Sequence, residues 1–415
     1  MESDRSSEMT DQHTARPPRQ VLVLTYWSYS DALIQAYTLP YVRLILNALP
    51  KGSTVHLITL EKGGGPSTVP SESGVVAHPI RYAPFGVRAA PMVLRVLWQG
   101  VRLIRRVRVD TIHAWCTPAG MMGHILSVLT GRPLILDSYE PHAEAMVENG
   151  TWRRFGLAFK VLFQWEKWQS RRAKVLIAAA AGMREYAARK YGVKDKPFHV
   201  KPACVDLEAF SLKLRKDPGL LKELGLEGRL VLVYAGKFGG IYLDQEVFDL
   251  FAVARRYWGE RLQVLLLTGH ELEDVMPFMT RAGLDPAMFT IRFVPHADMP
   301  RYMGLGDVAV TPVRSVPTKR YCTPIKDGEY WALGLPVIIT PDISDDSRII
   351  AENGIGAVLE GLNVVAYEKA VRTIDHLLTS VENKELTERI RAVAVRYRSL
   401  GVAEHIYRTI YGQQG

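Results

Sequence analysis

The feature that most constrains the fold is an alternation that runs along the whole chain: short, nearly continuous apolar runs, each followed by a helical pattern. In the first half the runs are VLVLTY (21–26), TVHLITL (54–60), TIHAW (111–115), PLILDS (133–138) and VLIAAA (175–180). In the second they are LVLVYAG (230–236), QVLLLTG (263–269), FTIRFV (289–294), DVAVTP (307–312) and PVIIT (336–340). A strand that is apolar on both faces belongs in a parallel sheet covered by helices on both sides. A chain of 415 residues is too long for one ordinary core. The two sets of runs therefore predict an α/β protein of two doubly wound domains, with ligands bound outside the carboxyl ends of the strands. The boundary is expected within Pro197 to Asp206, a segment with two prolines after a helical stretch.

The densest chemical signal is TPIKDGEYWALGLPVIIT (323–340). Thr323 is read as a helix cap, with Pro324 in the first turn. Lys326 and Glu329 are three apart, on one helical face. Gly334 ends the helix, Pro336 follows, and Val337 to Ile339 reads as a buried strand. A helix start offers free N–H groups and a positive dipole end, which suits a phosphate. Lys326 adds a full positive charge there, and Glu329 is able to accept hydrogen bonds from a ribose diol. A diphosphate joined to a ribose is one end of a nucleotide-sugar.

This stretch resembles the donor-binding segment of the GT-B glycosyltransferases of the retaining family 4 (group 1) type. VLVYAGKFGG (231–240) looks like the first strand and phosphate loop of that family's C-terminal domain. FVPHADMPRYMGLGDVAVTPV (293–313) looks like its nucleobase-binding segment, KPACVDLEAF (201–210) like its interdomain hinge, and AVRYRSLGVAEHIYRTIYG like its closing helix. The fold implied is GT-B: two Rossmann-like domains facing a central cleft, with a C-terminal helix crossing back. The expected layout is a disordered tail at 1–19 and an acceptor-binding domain at 20–200. A nucleotide-sugar-binding domain follows at 201–390, and a crossover helix at 391–415.

The resemblance also implies site roles. Lys326 contacts the diphosphate and Glu329 the ribose. Gly236, Gly239 and Gly240 form the phosphate loop, with Lys237 as its basic residue, and Tyr242 stands where many relatives carry a second one. Val294 and His296 frame the base, with His296 read as structural. The family's usual pair of glutamates, eight positions apart, has its first member at Tyr321, which is not acidic. Tyr321, Cys322, Thr323, Pro324 and Ile325 are expected to line the sugar pocket instead. The activity implied is a retaining, metal-independent transfer from a UDP- or GDP-linked sugar to a glycan or glycolipid acceptor, such as a lipid-linked or envelope glycan precursor.

DSYEPHAEAMVENG (137–150) follows a strand and is dense in ionisable groups: Asp137, Glu140, His142, Glu144 and Glu148. It is expected to face the cleft, with His142 as the candidate catalytic base. Ser28, Tyr29, Ser30 and Asp31, after the first strand, are read as acceptor-side lining. His113 is read as a satisfied core residue, Asp307 as part of the fold, and Asp345 and Asp346 as solvated. No HExxH, paired CxxC, GxSxG, Walker A or GxGxxG pattern is present, and no metal or other cofactor is expected.

The net charge is +9, and residues 81–109 hold seven arginines and no acid. Arg88, Arg95 and Arg102 are spaced by seven, with Arg106 four beyond, among Leu94, Leu97, Trp98, Val101, Ile104 and Val107. Residues 152–174 repeat the theme, with Arg153, Lys160, Lys167 and Arg171 among Trp152, Phe155, Phe159, Phe163, Trp165 and Trp168. Two readings stand: basic amphipathic helices on an anionic membrane, or ordinary surface helices. No nucleic-acid module accompanies the charge. Cys116, Cys204 and Cys322 are far apart, as in a reducing compartment, and no run approaches the ~18 apolar residues of a membrane span. The expected location is cytoplasmic, peripheral on the inner face of the membrane, with 62–74 a flexible loop. Two other functions stay open: a nucleotide-sugar epimerase or hydrolase on the same fold, and a non-catalytic membrane-docked partner.

Overall fold

The computed structural model describes residues 16–31, 34–62, 73–84, 89–380 and 382–412. Arg88, residues 1–15 of the expected tail and residues 63–72 of the expected loop lie outside the described residues. The first sheet comprises β1 (Gln20–Leu24), β2 (Thr54–Glu61), β3 (Val75–Arg81), β4 (Thr111–Trp115), β5 (Leu134–Tyr139), β6 (Val175–Ala178) and β7 (Phe198–Val200). Its order is β3-β2-β1-β4-β5-β6-β7, and every pairing is parallel. The second comprises β8 (Leu230–Ala235), β9 (Leu262–Leu267), β10 (Phe289–Arg292), β11 (Val308–Thr311), β12 (Val337–Ile339) and β13 (Gly356–Val358). Its order is β10-β9-β8-β11-β12-β13, again all parallel. The expected α/β architecture of two doubly wound sheets is therefore present.

All ten predicted runs contain a strand. The three strands without a predicted run, β3, β7 and β13, are all sheet edges. An edge strand is paired on one side only, so it needs no continuous apolar run. β3 carries Pro79, whose missing N–H is tolerated there. In β13 a Cβ on Gly356 would meet the Val337 carbonyl oxygen at 2.2 Å, so only glycine lets these two strands pair.

Each sheet is covered on both faces. In the first, α1 (Leu39–Ala48) and the closing helix Leu400–Gly412 bury one face against Val21, Val23, Val55 and Leu57. α2 (Ala90–Val107) and α3 (Cys116–Thr130) bury the other against Leu22, Leu24, Ile58 and Leu60. α4 (His142–Glu148) and α5 (Leu157–Arg172) complete that layer.

The closing helix is pinned by a polar cluster. The buried Asp137 accepts hydrogen bonds from Tyr407 Oη at 2.8 Å and His113 Nε2 at 3.1 Å, and pairs with Lys201 Nζ at 3.1 Å. His113 Nδ1 meets Tyr411 Oη at 2.7 Å, and Lys201 Nζ lies 3.6 Å from the Tyr41 ring centre. His113 is thus the satisfied core residue expected. Asp137 is a correction: its carboxylate points into the sheet toward the closing helix, away from the cleft. Burial alone would raise its pKa, but Lys201, His113 and Tyr407 hold it at about 2.

This cluster sets a stability test. A depressed carboxylate stabilises the folded chain above its ordinary value of 3.8, and that contribution is lost as pH falls through about 2. Asp137→Asn also leaves Lys201 an uncompensated buried cation, at a cost of roughly 3–5 kcal/mol. Urea unfolding at neutral pH should show that loss, and the variant should lack most of the wild-type decline between about pH 4 and pH 2.

Candidate functional site

In a doubly wound sheet the strand order reverses at one point, where the loops on either side diverge and leave a crevice. In the second sheet that point lies between β8 and β11. A cavity of about 300 Å³ sits there, lined by Ala235 and Gly236 at the end of β8 and by Thr311 and Pro312 at the end of β11. Its remaining wall comes from Lys319 and from Cys322, Thr323, Pro324, Ile325 and Lys326, and Tyr37 reaches it from the first domain.

The helix predicted at this wall runs from Ile325 to Ala332. Pro324 precedes it in an extended conformation and no side chain caps it. Thr323 is therefore not the cap. Its hydroxyl donates instead to the Ala179 carbonyl of the first domain at 2.7 Å. The helix is anchored by what it buries: Ala235 N–H donates to Tyr330 Oη at 2.8 Å, and the Thr311 hydroxyl donates to Asp327. Gly334 ends it with φ +68°, where a Cβ would press on the Thr387 backbone.

Lys326 Nζ pairs with Glu329 Oε2 at 2.6 Å. Unlike an ordinary surface pair, Glu329 is buried. Its other oxygen accepts from Tyr37 Oη, and His296 Nε2 lies 3.9 Å away. His296 and Tyr37 meet edge to face, and both line the cavity. A cation, a buried carboxylate and a helix start are thus brought to one wall. Both oxygens of the carboxylate are engaged within the protein, one by Lys326 and the other by Tyr37.

The other expected residues fall less evenly. Gly236 lines the cavity, while Lys237 beside it is exposed. Gly239 and Gly240 turn the chain with φ of +79° and +65° and stand outside the lining, as does the buried Val294. Tyr242 lines the cavity. Tyr321 departs from its expected place: its ring packs on Tyr186, 5.0 Å between centres, and against Gly182. The ring, on the short 3-10 turn Pro317–Tyr321, finds its aromatic partner across the cleft, outside the cavity lining. Ser28 is also corrected, since it is buried and its hydroxyl donates to Glu61. Asp307 serves the fold as expected, taking Lys216 Nζ at 2.7 Å and Val231 N–H at 2.8 Å.

Three functional candidates escaped sequence reasoning as site residues. Tyr37 sits on a short π-helical segment, Ile34–Thr38, and its role depends on a partner 292 positions away. Lys319 adds a second cation to the cavity wall. Glu140 receives the Cys322 thiol at 3.0 Å across the cleft. The only signal for Glu140 was the density of acids in 137–150. Glu148 likewise crosses the cleft, accepting from Thr318 N–H at 3.0 Å.

His142 lies outside the cavity lining but is joined to it through Glu140, 3.8 Å away. Burial lowers the His142 pKa, yet the Glu140 hydrogen bond and charge, with Glu166, outweigh it and leave it raised. Glu140 is lowered: burial opposes ionisation, but His142, Cys322 and Lys319 favour it more. Behind them the buried Glu166 accepts from Ala143 N–H at 2.8 Å and Tyr191 Oη at 2.8 Å, and burial pushes its pKa up to about 7. The folded chain therefore holds that proton more tightly than the unfolded chain does. The resulting stabilisation is complete below the ordinary value of 4.5 and is lost as pH rises through about 7. Melting temperature should fall across that window in the wild type, and Glu166→Gln should flatten the fall.

Residues 41–209 match the family model described as Glycosyltransferase Family 4. No curated protein matches the sequence. Among solved structures, sucrose-phosphate synthase from Thermosynechococcus elongatus superposes with a TM-score of 0.72 at 14% identity, over 95% of this chain and 98% of that one. A glycosyltransferase from Rickettsia africae gives 0.70 at 13%, over 96% and 99%. Anabaena HepE in complex with UDP and glucose gives 0.69 at 14%, over 95% and 100%. Likeness at such low identity speaks for the fold, while the family model speaks for the N-terminal half. The chain has the GT-B fold, and over residues 41–209 it matches the family model described as Glycosyltransferase Family 4.

Proposed function

We propose that this protein is a retaining glycosyltransferase that moves a sugar from a UDP- or GDP-linked donor to a hydroxyl of a glycan or glycolipid acceptor, such as a lipid-linked or envelope glycan precursor, without a metal ion. The observation that carries this reading is the wall formed by Lys326, the buried Glu329 and the start of helix Ile325–Ala332 at the switch point of the second sheet. The fold likeness to Anabaena HepE, solved with UDP-glucose, supports a nucleotide-sugar as the donor.

The diphosphate would lie over the helix start, with Lys326 and Lys319 balancing its charge. Lys237, exposed beside Gly236 in the loop after β8, would be the third cation. The ribose diol would take the place of Tyr37 on Glu329. The base would sit by His296, and the sugar toward Cys322, Glu140 and His142. In transfer, the bond between the anomeric carbon and the diphosphate oxygen breaks while the acceptor oxygen bonds to that carbon. The acceptor's proton passes to the departing diphosphate oxygen, on the same face, so the configuration is kept. His142, close to Glu140, would orient the acceptor hydroxyl. Among the described residues no three His, Cys, Asp or Glu side chains converge as a metal ion requires, and the cations named above would carry the leaving-group charge. The acceptor side would rest on an anionic membrane, the chain being peripheral on its inner face. Among the described residues no helix is long and apolar enough to cross one.

Calorimetric titration without metal, using UDP-, GDP- and ADP-sugars, tests the reading. One nucleotide class should bind saturably, and Lys326→Ala should weaken it about 10–100-fold, as for a lost hydrogen bond between charged groups. Absence of binding by folded protein to all three classes would overturn the donor assignment. Tyr37→Phe removes the internal competitor for Glu329, so in the same titration the nucleotide should bind roughly fivefold more tightly.

A further inference from the structure

The donor cavity makes no use of the strongest concentration of charge in the chain. α2 packs on α3 and α3 on α5, on the face of the first sheet opposite the closing helix. Large apolar side chains on this layer stand in solvent: Leu94 and Trp98 on α2 are 66% and 61% exposed, and Leu157, Val161 and Trp168 on α5 are exposed as well. Arg95, Arg102, Arg105 and Arg106 are exposed among those of α2. Exposed Trp and Leu beside several arginines are costly in water and suited to the boundary between headgroups and acyl chains.

Within this face lies a defined cavity. Between α2 and the edge strand β3 is a space of about 350 Å³, lined in part by His78, Trp98, Gln99, Arg102 and Arg106. The two arginines are one helical turn apart and face the same space. Arg102 is stacked over Trp98, 5.4 Å from the ring centre. His78 is already hydrogen-bonded to His56 at 3.1 Å. Among the described residues no carboxylate lines this space. Two forked guanidiniums and an amide around a cavity of this size suit a phosphate, because each fork offers two parallel N–H donors to its oxygens. A phosphate seated there would leave Trp98 and Leu94 beside the chains that carry it.

We propose that the α2–β3 cavity binds the phosphate headgroup of an anionic membrane lipid, with Leu94 and Trp98 entering the acyl boundary beside it. This deepens the membrane contact proposed above and rests on it. The lipid is the occupant chosen over a soluble phosphate because the exposed apolar residues have no role in holding a soluble ion.

The test is co-sedimentation of the full chain with vesicles of phosphatidylcholine alone or mixed with phosphatidylglycerol. The wild type should bind the anionic vesicles and not the neutral ones. Arg102→Ala with Arg106→Ala should bind about thirtyfold more weakly, the effect of removing two cations from an anionic surface. Both side chains are exposed and lie outside the donor cavity, so the circular dichroism spectrum and nucleotide affinity of this variant should match the wild type. Arg102→Lys with Arg106→Lys keeps the charge and loses the forks, and should recover only part of the binding. Complete recovery would overturn a headgroup cavity in favour of diffuse attraction. Equal binding to neutral vesicles, or no effect of the alanine pair, would also overturn it. Release from the vesicles by inorganic phosphate at unchanged ionic strength would reassign the cavity to a soluble ion. Failure of the wild type to bind any nucleotide while it still sediments with anionic vesicles would remove the transferase reading and leave this one.

Discussion

A single buried cation holds the two halves of this molecule in register. Arg398 is fully buried at the end of helix Asn383–Arg398, where the chain leaves the second domain for the first. Its guanidinium meets both oxygens of Asp346 at 2.8 and 2.9 Å, the Ala203 carbonyl of the hinge at 2.8 Å, and the Pro324 carbonyl at the start of the donor helix. Its own carbonyl accepts from Val205 N–H at 2.7 Å. A buried arginine is tolerable only when its donors are satisfied and its charge is answered. Here that requirement joins the hinge, the donor helix and helix Asp346–Asn353 at one point. Gly328 is part of the same solution, since a Cβ there would come within 3.1 Å of the guanidinium. Neighbouring Asp327 has its pKa raised by burial and by the Asp346 charge, so it holds its proton and the cluster stays close to neutral.

The donor wall inherits its position from this junction. Because Pro324 is held by Arg398, the start of helix Ile325–Ala332 is aimed into the cavity and cannot tilt without breaking the hinge contact. The opposite domain then supplies what the wall lacks. Tyr37 closes over Glu329, Glu140 meets Cys322, and Glu148 meets Thr318. These contacts are polar, so water or a ligand can replace them at little net cost, whereas the apolar cores on either side cannot rearrange. A cleft built this way can open without unfolding either domain.

Much of this was visible along the chain. The apolar runs located every inner strand, because a strand buried on both faces has no polar alternative. Lys326 and Glu329 were readable as a pair, because helical spacing puts positions three apart on one face and the flanking prolines and glycine mark where the helix begins and ends. The failures are equally physical. Edge strands such as β3 and β13 lack the apolar signature, since only one side is paired. Thr323 has the composition of a cap, but its hydroxyl finds a better acceptor across the cleft at Ala179. Asp345 and Asp346 read as a solvated pair. Instead Asp346 is buried under an arginine 52 positions away, and Asp345 accepts the Ala181 N–H from the other domain.

The sequence by itself determined the two doubly wound sheets, the chemistry of the helix at 325–332 and the basic, aromatic character of α2 and α5, because each is written in the spacing of neighbouring residues. Only the tertiary structure decided which side chains share the cleft. Tyr37 and Lys319 carry no local mark, Glu140 carries only the density of acids around it, and Tyr321 and Asp137 carried a misleading one. Their partners lie in the other domain or in the closing helix, and no local period can report a contact made by folding one half of the chain against the other.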